Sequence, residues 1–98
     1  MSFESTLNAI TSRAATASSL GSSLKFDFGD QQILLDGTGD SNVVSTENKD
    51  ADCTVSIKLE DLEAMMKGDL NPMMAFMSGK IKVKGDMGVA MKLQSFLK

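Results

Sequence analysis

The stretch ADCTVSIKLEDLEAMMKG, residues 51–68, carries two periods in succession. At its start Ala51, Cys53, Val55, Ile57 and Leu59 alternate with Asp52, Thr54, Ser56 and Lys58, the two-residue period of a strand with one face on a core and one in water. From Leu59 the spacing lengthens to three and four through Leu62, Met65 and Met66. Glu60, Asp61 and Glu63 fall in the first turn, where the helix dipole favours acids, and Lys67 then Gly68 close the last. A half-buried strand that runs straight into an amphipathic helix calls for helices laid on the one apolar face of a sheet, an α+β layer arrangement.

Upstream, the strand period recurs in short pieces between turn residues. Phe26 and Phe28 alternate with Lys25 and Asp27, residues 31–36 carry Ile33, Leu34 and Leu35, and Gly37, Thr38, Gly39 and Asp40 supply a turn before Val43 and Val44. These predict three strands in two hairpins, to which residues 51–59 add a fourth. Residues 3–20 instead set Phe3, Leu7, Ile10, Ala14 and Ala17 on one helical face, with Gly21 to end it. The stretch is Ser-rich and acid-poor like a transit peptide, but with Arg13 alone and Glu4 present a structural first helix is preferred.

Downstream, Asn71 and Pro72 read as the N-cap and first position of a short helix over 73–78, closed by Gly79. Lys80, Lys82 and Lys84 alternate with Ile81 and Val83 as a fifth strand, and Asp86 caps a final helix to about Leu97. Two helices between the fourth and fifth strands suit a right-handed crossover, which predicts a parallel pair at that point. The predicted fold class is therefore α+β: a five-stranded, mostly antiparallel sheet with one parallel crossover and helices covering one face.

Composition narrows the function. A chain of 98 residues allows one domain, residues 1–98. No apolar run approaches the ~18 residues of a membrane span, and no secretory leader opens the chain, so a soluble, cytoplasmic protein is expected. One cysteine and no histidine exclude an internal disulfide, a zinc-type ligand set and the usual general base. No metal or cofactor is indicated. A net charge of −3 and five aromatics, all Phe, argue against nucleic acid as a partner.

Candidate catalytic groups are thin. The carboxylates are spread over turns and polar strand faces, not paired as acid and base. Ser78 and Lys80 are near neighbours but read as a C-cap and a surface strand, with no oxyanion element visible. Gly79, Gly85 and Gly88 lack the strand, glycine turn and helix order of a nucleotide loop. Cys53 sits in the apolar row of its strand, which makes it a buried hydrophobe and not a nucleophile.

Two features stand out against this. Residues 26–63 hold ten acids and two lysines, whereas 79–98 hold five lysines and one acid. Such a cationic end attracts anionic headgroups at ~1 kcal/mol per cation, or equally is a solvated face that protects a sheet edge. After Met1, the other seven methionines (65, 66, 73, 74, 77, 87 and 91) all fall in one third of the chain. Methionine fills irregular gaps in cores, and it also lines surfaces that adapt to ligands of varied shape. Both readings stay open on the residues alone.

The segments DADCTVSI, residues 50–57, and MKGDLNPMMAFMSGKIKVKGDMGVAMKLQ, residues 66–94, resemble the signature half of the sterol carrier protein 2 family. The resemblance implies a five-stranded sheet covered on one side by helices, with an apolar tunnel between the layers for a fatty acid, fatty acyl-CoA, phospholipid or sterol, and no catalytic residues. Carried over by position, it puts tunnel walls at Leu62, Met66, Met73, Phe76, Met77, Met87 and Met91, with Phe96 near the mouth. Lys80, Lys82, Lys84 and Lys92 would meet a headgroup or a membrane surface. The strand region is shorter than in the animal carriers, and the chain closes on Phe96, Leu97 and Lys98 instead of a Ser-Lys-Leu-type peroxisomal address. Both departures favour a stand-alone, bacterial-type member.

The function expected from the sequence is thus nonenzymatic lipid binding and transfer driven by desolvation. The alternative is a compact interaction or structural domain whose tunnel is filled by the same methionines. On the first reading, Met77→Asp is expected to weaken lipid binding more than Lys82→Ala.

Overall fold

The computed structural model describes residues 3–97, with side chains over 3–92. The elements are α1 (Phe3–Thr16), β1 (Ser23–Asp27), β2 (Gln32–Asp36), β3 (Val43–Ser45), β4 (Cys53–Ile57), α2 (Leu59–Lys67), α3 (Pro72–Met77), β5 (Ile81–Gly85) and α4 (Met87–Leu97). All five strands and the four helices predicted are present. Helix α1 stops at Thr16 instead of running to residue 20, because the residues beyond it bond elsewhere. The Ser19 hydroxyl donates to the carbonyls of Gly37 and Gly39, and the Leu20 amide donates to Asn42 Oδ1, so side-chain hydrogen bonds replace the helical ladder.

The strand order is β3-β2-β1-β4-β5. Here the structure corrects the sequence expectation: β4 and β5 are antiparallel, and the parallel pair is β1 with β4. Ile57 at the end of β4 stands opposite Ile81 at the start of β5. The excursion through α2 and α3 returns the chain to the sheet end it left, which an antiparallel neighbour requires. The crossover is made earlier, by residues 46–52 between β3 and β4. This segment passes over the polar face, where Gln32 Nε2 donates to the Thr46 carbonyl and Lys25 Nζ donates to Asn48 Oδ1. It also explains why Leu34, on the face away from the helices, is buried.

The registers align the helix-facing side chains in rows. Ile33, Phe26, Val55 and Val83 form one row, and Leu35, Leu24 and Cys53 form the next, which ends at Gly85. A Cβ at Gly85 would meet the Asp52 carbonyl oxygen, and its φ of +104° is open to glycine alone without strain. Ile10 and Leu62 from α1 and α2, with Phe26, Ile33 and Leu35 beneath, are wholly buried. The two helices are tied together by the Thr6 hydroxyl donating to Glu63 at 2.8 Å and by Arg13 donating to the Met66 carbonyl at 3.1 Å. The β1–β2 part of the sheet is therefore covered by packed side chains. Space remains toward the β5 edge.

Candidate functional site

Helix α3 is built by local chemistry. The Asn71 side chain accepts from the Met73 amide at 2.8 Å and Pro72 occupies the first turn, while Gly79 follows the helix with φ +82°, a starter and stopper that need no tertiary help. Ala75 faces the core and is fully buried. Helix α4 starts in the same way, with Asp86 Oδ1 accepting from the Gly88 amide at 2.8 Å. Helix α2 ends on Gly68, whose φ of +85° lets its amide and that of Asp69 bond back to Met65 and Ala64. These four end signals, two starts and two stops, set the bounds of the three helices that border the β4–β5 part of the sheet.

Between them lies an apolar cleft of about 280 Å³. Its floor is Val55 of β4 with Ile81 and Val83 of β5; its walls are Met65 of α2, Pro72, Met73 and Phe76 of α3, and Met87, Ala90 and Met91 of α4. Among the described residues no lining side chain carries a hydroxyl, amide or charge. Val55 and Ile81 of the floor are buried and Val83 partly so, whereas the rim is open: Met73, Met87 and Met91 are each at least half exposed. The cleft is thus an apolar groove with a flexible thioether rim, which can remove hydrocarbon from water.

The sequence-derived positions divide. Met73, Phe76, Met87 and Met91 come together in the cleft. Leu62 does not: it is fully buried in the core beneath α2. Met66 is turned one residue round the helix, about 100° from Met65, into a small hollow beside Thr6, Arg13 and Glu63. Met77 is 76% exposed and does not line the cleft, although at i+4 it stands one turn from Met73. The side chain of Phe96 lies outside the described residues. Met65, Val55, Ile81, Val83, Pro72 and Ala90 line the cleft but were missed as site residues. The strand alternation already marks Val55, Ile81 and Val83 as helix-facing.

The lysines also separate. Lys80, Lys82 and Lys84 alternate with Ile81 and Val83 and so share the sheet face away from the cleft. Of the four, Lys92 belongs to the helical layer, and its Nζ donates to the Leu20 carbonyl at 3.3 Å. A broader depression of about 590 Å³ takes in Lys58, Lys80 and Lys82 together with Asp27, Glu60 and Asp61. Charges of both signs make it a poor place to desolvate hydrocarbon. Cys53 is buried in the sheet, where burial pushes its thiol up from the ordinary value and the Asp86 carboxylate adds to the effect. This keeps the sulfur protonated and inert.

Comparison with known proteins places this geometry. Sterol carrier protein 2 of Oryctolagus cuniculus is 49% identical over 57 residues, which are 58% of this chain and 10% of that protein; the Homo sapiens protein is 46% identical over the same length and shares. Hydroxysteroid dehydrogenase-like protein 2 of Danio rerio is 51% identical over 47 residues, 48% of this chain and 11% of that protein. The match thus spans about a tenth of the length of these curated relatives. Among solved structures, Sterol Carrier Protein 2 Like 2 of Aedes aegypti has a TM-score of 0.75 at 23% identity, covering 94% of this chain and 93% of that one. The palmitated form in solution gives 0.75 at 24%, covering 99% and 95%. At those identities the likeness is one of fold. Residues 5–98 match the model of the SCP-2 sterol transfer family, and the chain belongs to that family.

Proposed function

We propose that this chain binds and carries lipid without chemical turnover, holding the apolar part of a fatty acid, fatty acyl-CoA, phospholipid or sterol in the cleft between α3, α4 and the β4–β5 floor. The observation that carries the reading is the lining, which is apolar throughout its described side chains over about 280 Å³. Family membership supports it, as do the relatives named as sterol carriers and the fold neighbour from Aedes aegypti that is palmitated. Burying hydrocarbon gains ~0.8 kcal/mol per methylene before the cost of association. Because that gain has no direction, binding tolerates variety in the ligand. The exposed methionines of the rim repack round whatever enters.

Organic extraction of the purified protein followed by mass spectrometry tests the reading, together with thermal unfolding in the presence of added fatty acid. Copurifying lipid or a raised Tm is the expected result. Absence of both would instead favour a compact structural domain, a reading to which the packed region under α1 and α2 lends some support.

A further inference from the structure

We infer that the rim of the cleft is a modification site: hydrogen peroxide converts Met73, Met87 and Met91 to sulfoxides and thereby switches off lipid binding. The inference rests on the lipid-binding reading above and adds its regulation. Met73, Met74, Met77, Met87 and Met91 are 50–76% exposed, so a small oxidant reaches them without the chain opening. Met65 is 5% exposed and belongs to the packed core. Of the five exposed methionines, Met73, Met87 and Met91 line the cleft, whereas Met74 and Met77 do not. Met91 and Met77 make a matched pair at 72% and 76% exposure. Access to oxidant is alike at these two, and position alone separates them.

The step is an oxygen transfer. A thioether lone pair attacks one oxygen of the peroxide, the S–O bond forms and the O–O bond breaks, and the departing oxygen leaves as water with both protons. Sulfur is oxidised by two electrons and peroxide is reduced by two. The product is a polar side chain with a hydrogen-bond acceptor. In the empty cleft water satisfies that oxygen, because the three side chains are at least half exposed. Beneath a hydrocarbon chain no described lining side chain has a donor to take the water's place, and burying an unpaired acceptor is costly. The cost therefore falls on the bound state and not on the fold. Conversely, a bound chain lies over the rim and shields it, while Met74 and Met77 stay open to oxidant.

The test treats the whole protein with dilute hydrogen peroxide, with and without fatty acid. Peptide mass spectrometry locates each sulfoxide, and a fluorescent fatty acid is titrated before and after. Oxidation should weaken binding about tenfold or more, leave the Tm of the ligand-free protein nearly unchanged, and be undone by methionine sulfoxide reductases. Bound fatty acid should slow sulfoxide formation at Met91 and not at Met77. The triple variant Met73→Leu, Met87→Leu and Met91→Leu should have the same Kd before and after peroxide, whereas Met74→Leu with Met77→Leu should keep the full loss.

Rim methionines that stay unoxidised while Met74 and Met77 react, unchanged affinity in protein carrying all three rim sulfoxides, equal protection of Met77 and Met91, a triple variant that still loses affinity, or a loss that tracks collapse of the ligand-free Tm would overturn the inference while leaving lipid binding intact. Failure of the untreated protein to bind fatty acid would overturn the inference and the lipid-binding reading together.

Discussion

Replacing Phe76 by alanine separates the cleft wall from the outer face of α3. Phe76 lines the cleft and is 45% exposed. Burying a phenylalanine side chain fully is worth ~1.5–3 kcal/mol, so a ligand that covers the remaining share recovers roughly 0.7–1.4 kcal/mol on the protein side alone. Phe76→Ala should therefore cost about 1 kcal/mol of binding, which is about fivefold in Kd. Met77 is the neighbouring residue, yet it is 76% exposed and outside the cleft. Met77→Ala should leave Kd within about twofold, and Met77→Asp should do little more, since its charge stays in water. The assay is a fluorescent fatty-acid titration of the three variants, with far-UV circular dichroism confirming that each is folded. Equal losses at the two positions, or a larger loss at Met77, would refute the assignment of α3's inner face.

Asn71→Ala removes the side chain that accepts from the Met73 amide; it should lower stability by about 1 kcal/mol in urea denaturation and weaken lipid binding as α3 frays. Gly68→Ala places a Cβ at φ +85° and should cost about 1 kcal/mol without altering Kd. Cys53 should react with maleimide at neutral pH only as fast as the chain opens, whereas urea-unfolded protein reacts at once. Its folded pKa is raised, so the unfolded chain releases the thiol proton first and stability should fall as pH rises past the ordinary thiol value of 9.0. Thermal unfolding between neutral and alkaline pH, compared with Cys53→Ala, checks that sign.

Much of the fold is legible because its signals are local. The alternation of Cys53, Val55 and Ile57, the cap pair Asn71 and Pro72, and the stops at Gly68 and Gly79 each act within a few residues, and the structure keeps all of them. What the pattern does not encode is which strand lies beside which. A two-residue period tells Val55 which way to face, but its neighbours, Phe26 on one side and Val83 on the other, are set by a crossover with no helix in it. Helical phase is the second gap. In the run Met73 to Met77 every residue is apolar, so composition cannot tell Phe76 from Met77; the burial of Ala75 against the sheet fixes the rotation. The same ambiguity separates Met65 from Met66, and there the bond from Arg13 to the Met66 carbonyl marks the side that turns toward α1.

The crossing of residues 46–52 over the polar face also sets an order of assembly. The hairpins of β1, β2 and β3 close from short separations, whereas docking β4 beside β1 joins partners 29 residues apart, as between Ser23 and Asp52, and must first meet a larger loop-closure entropy. Until it docks, β1 keeps one hydrogen-bonding edge vacant, with Leu24 and Phe26 beside it. A chain emerging from the ribosome passes through that stage with a ready template for intermolecular pairing. Aggregation during synthesis should accordingly be governed by how soon Cys53–Ile57 arrives, and slowing translation just before it should lower the soluble yield of a protein whose finished form is unchanged.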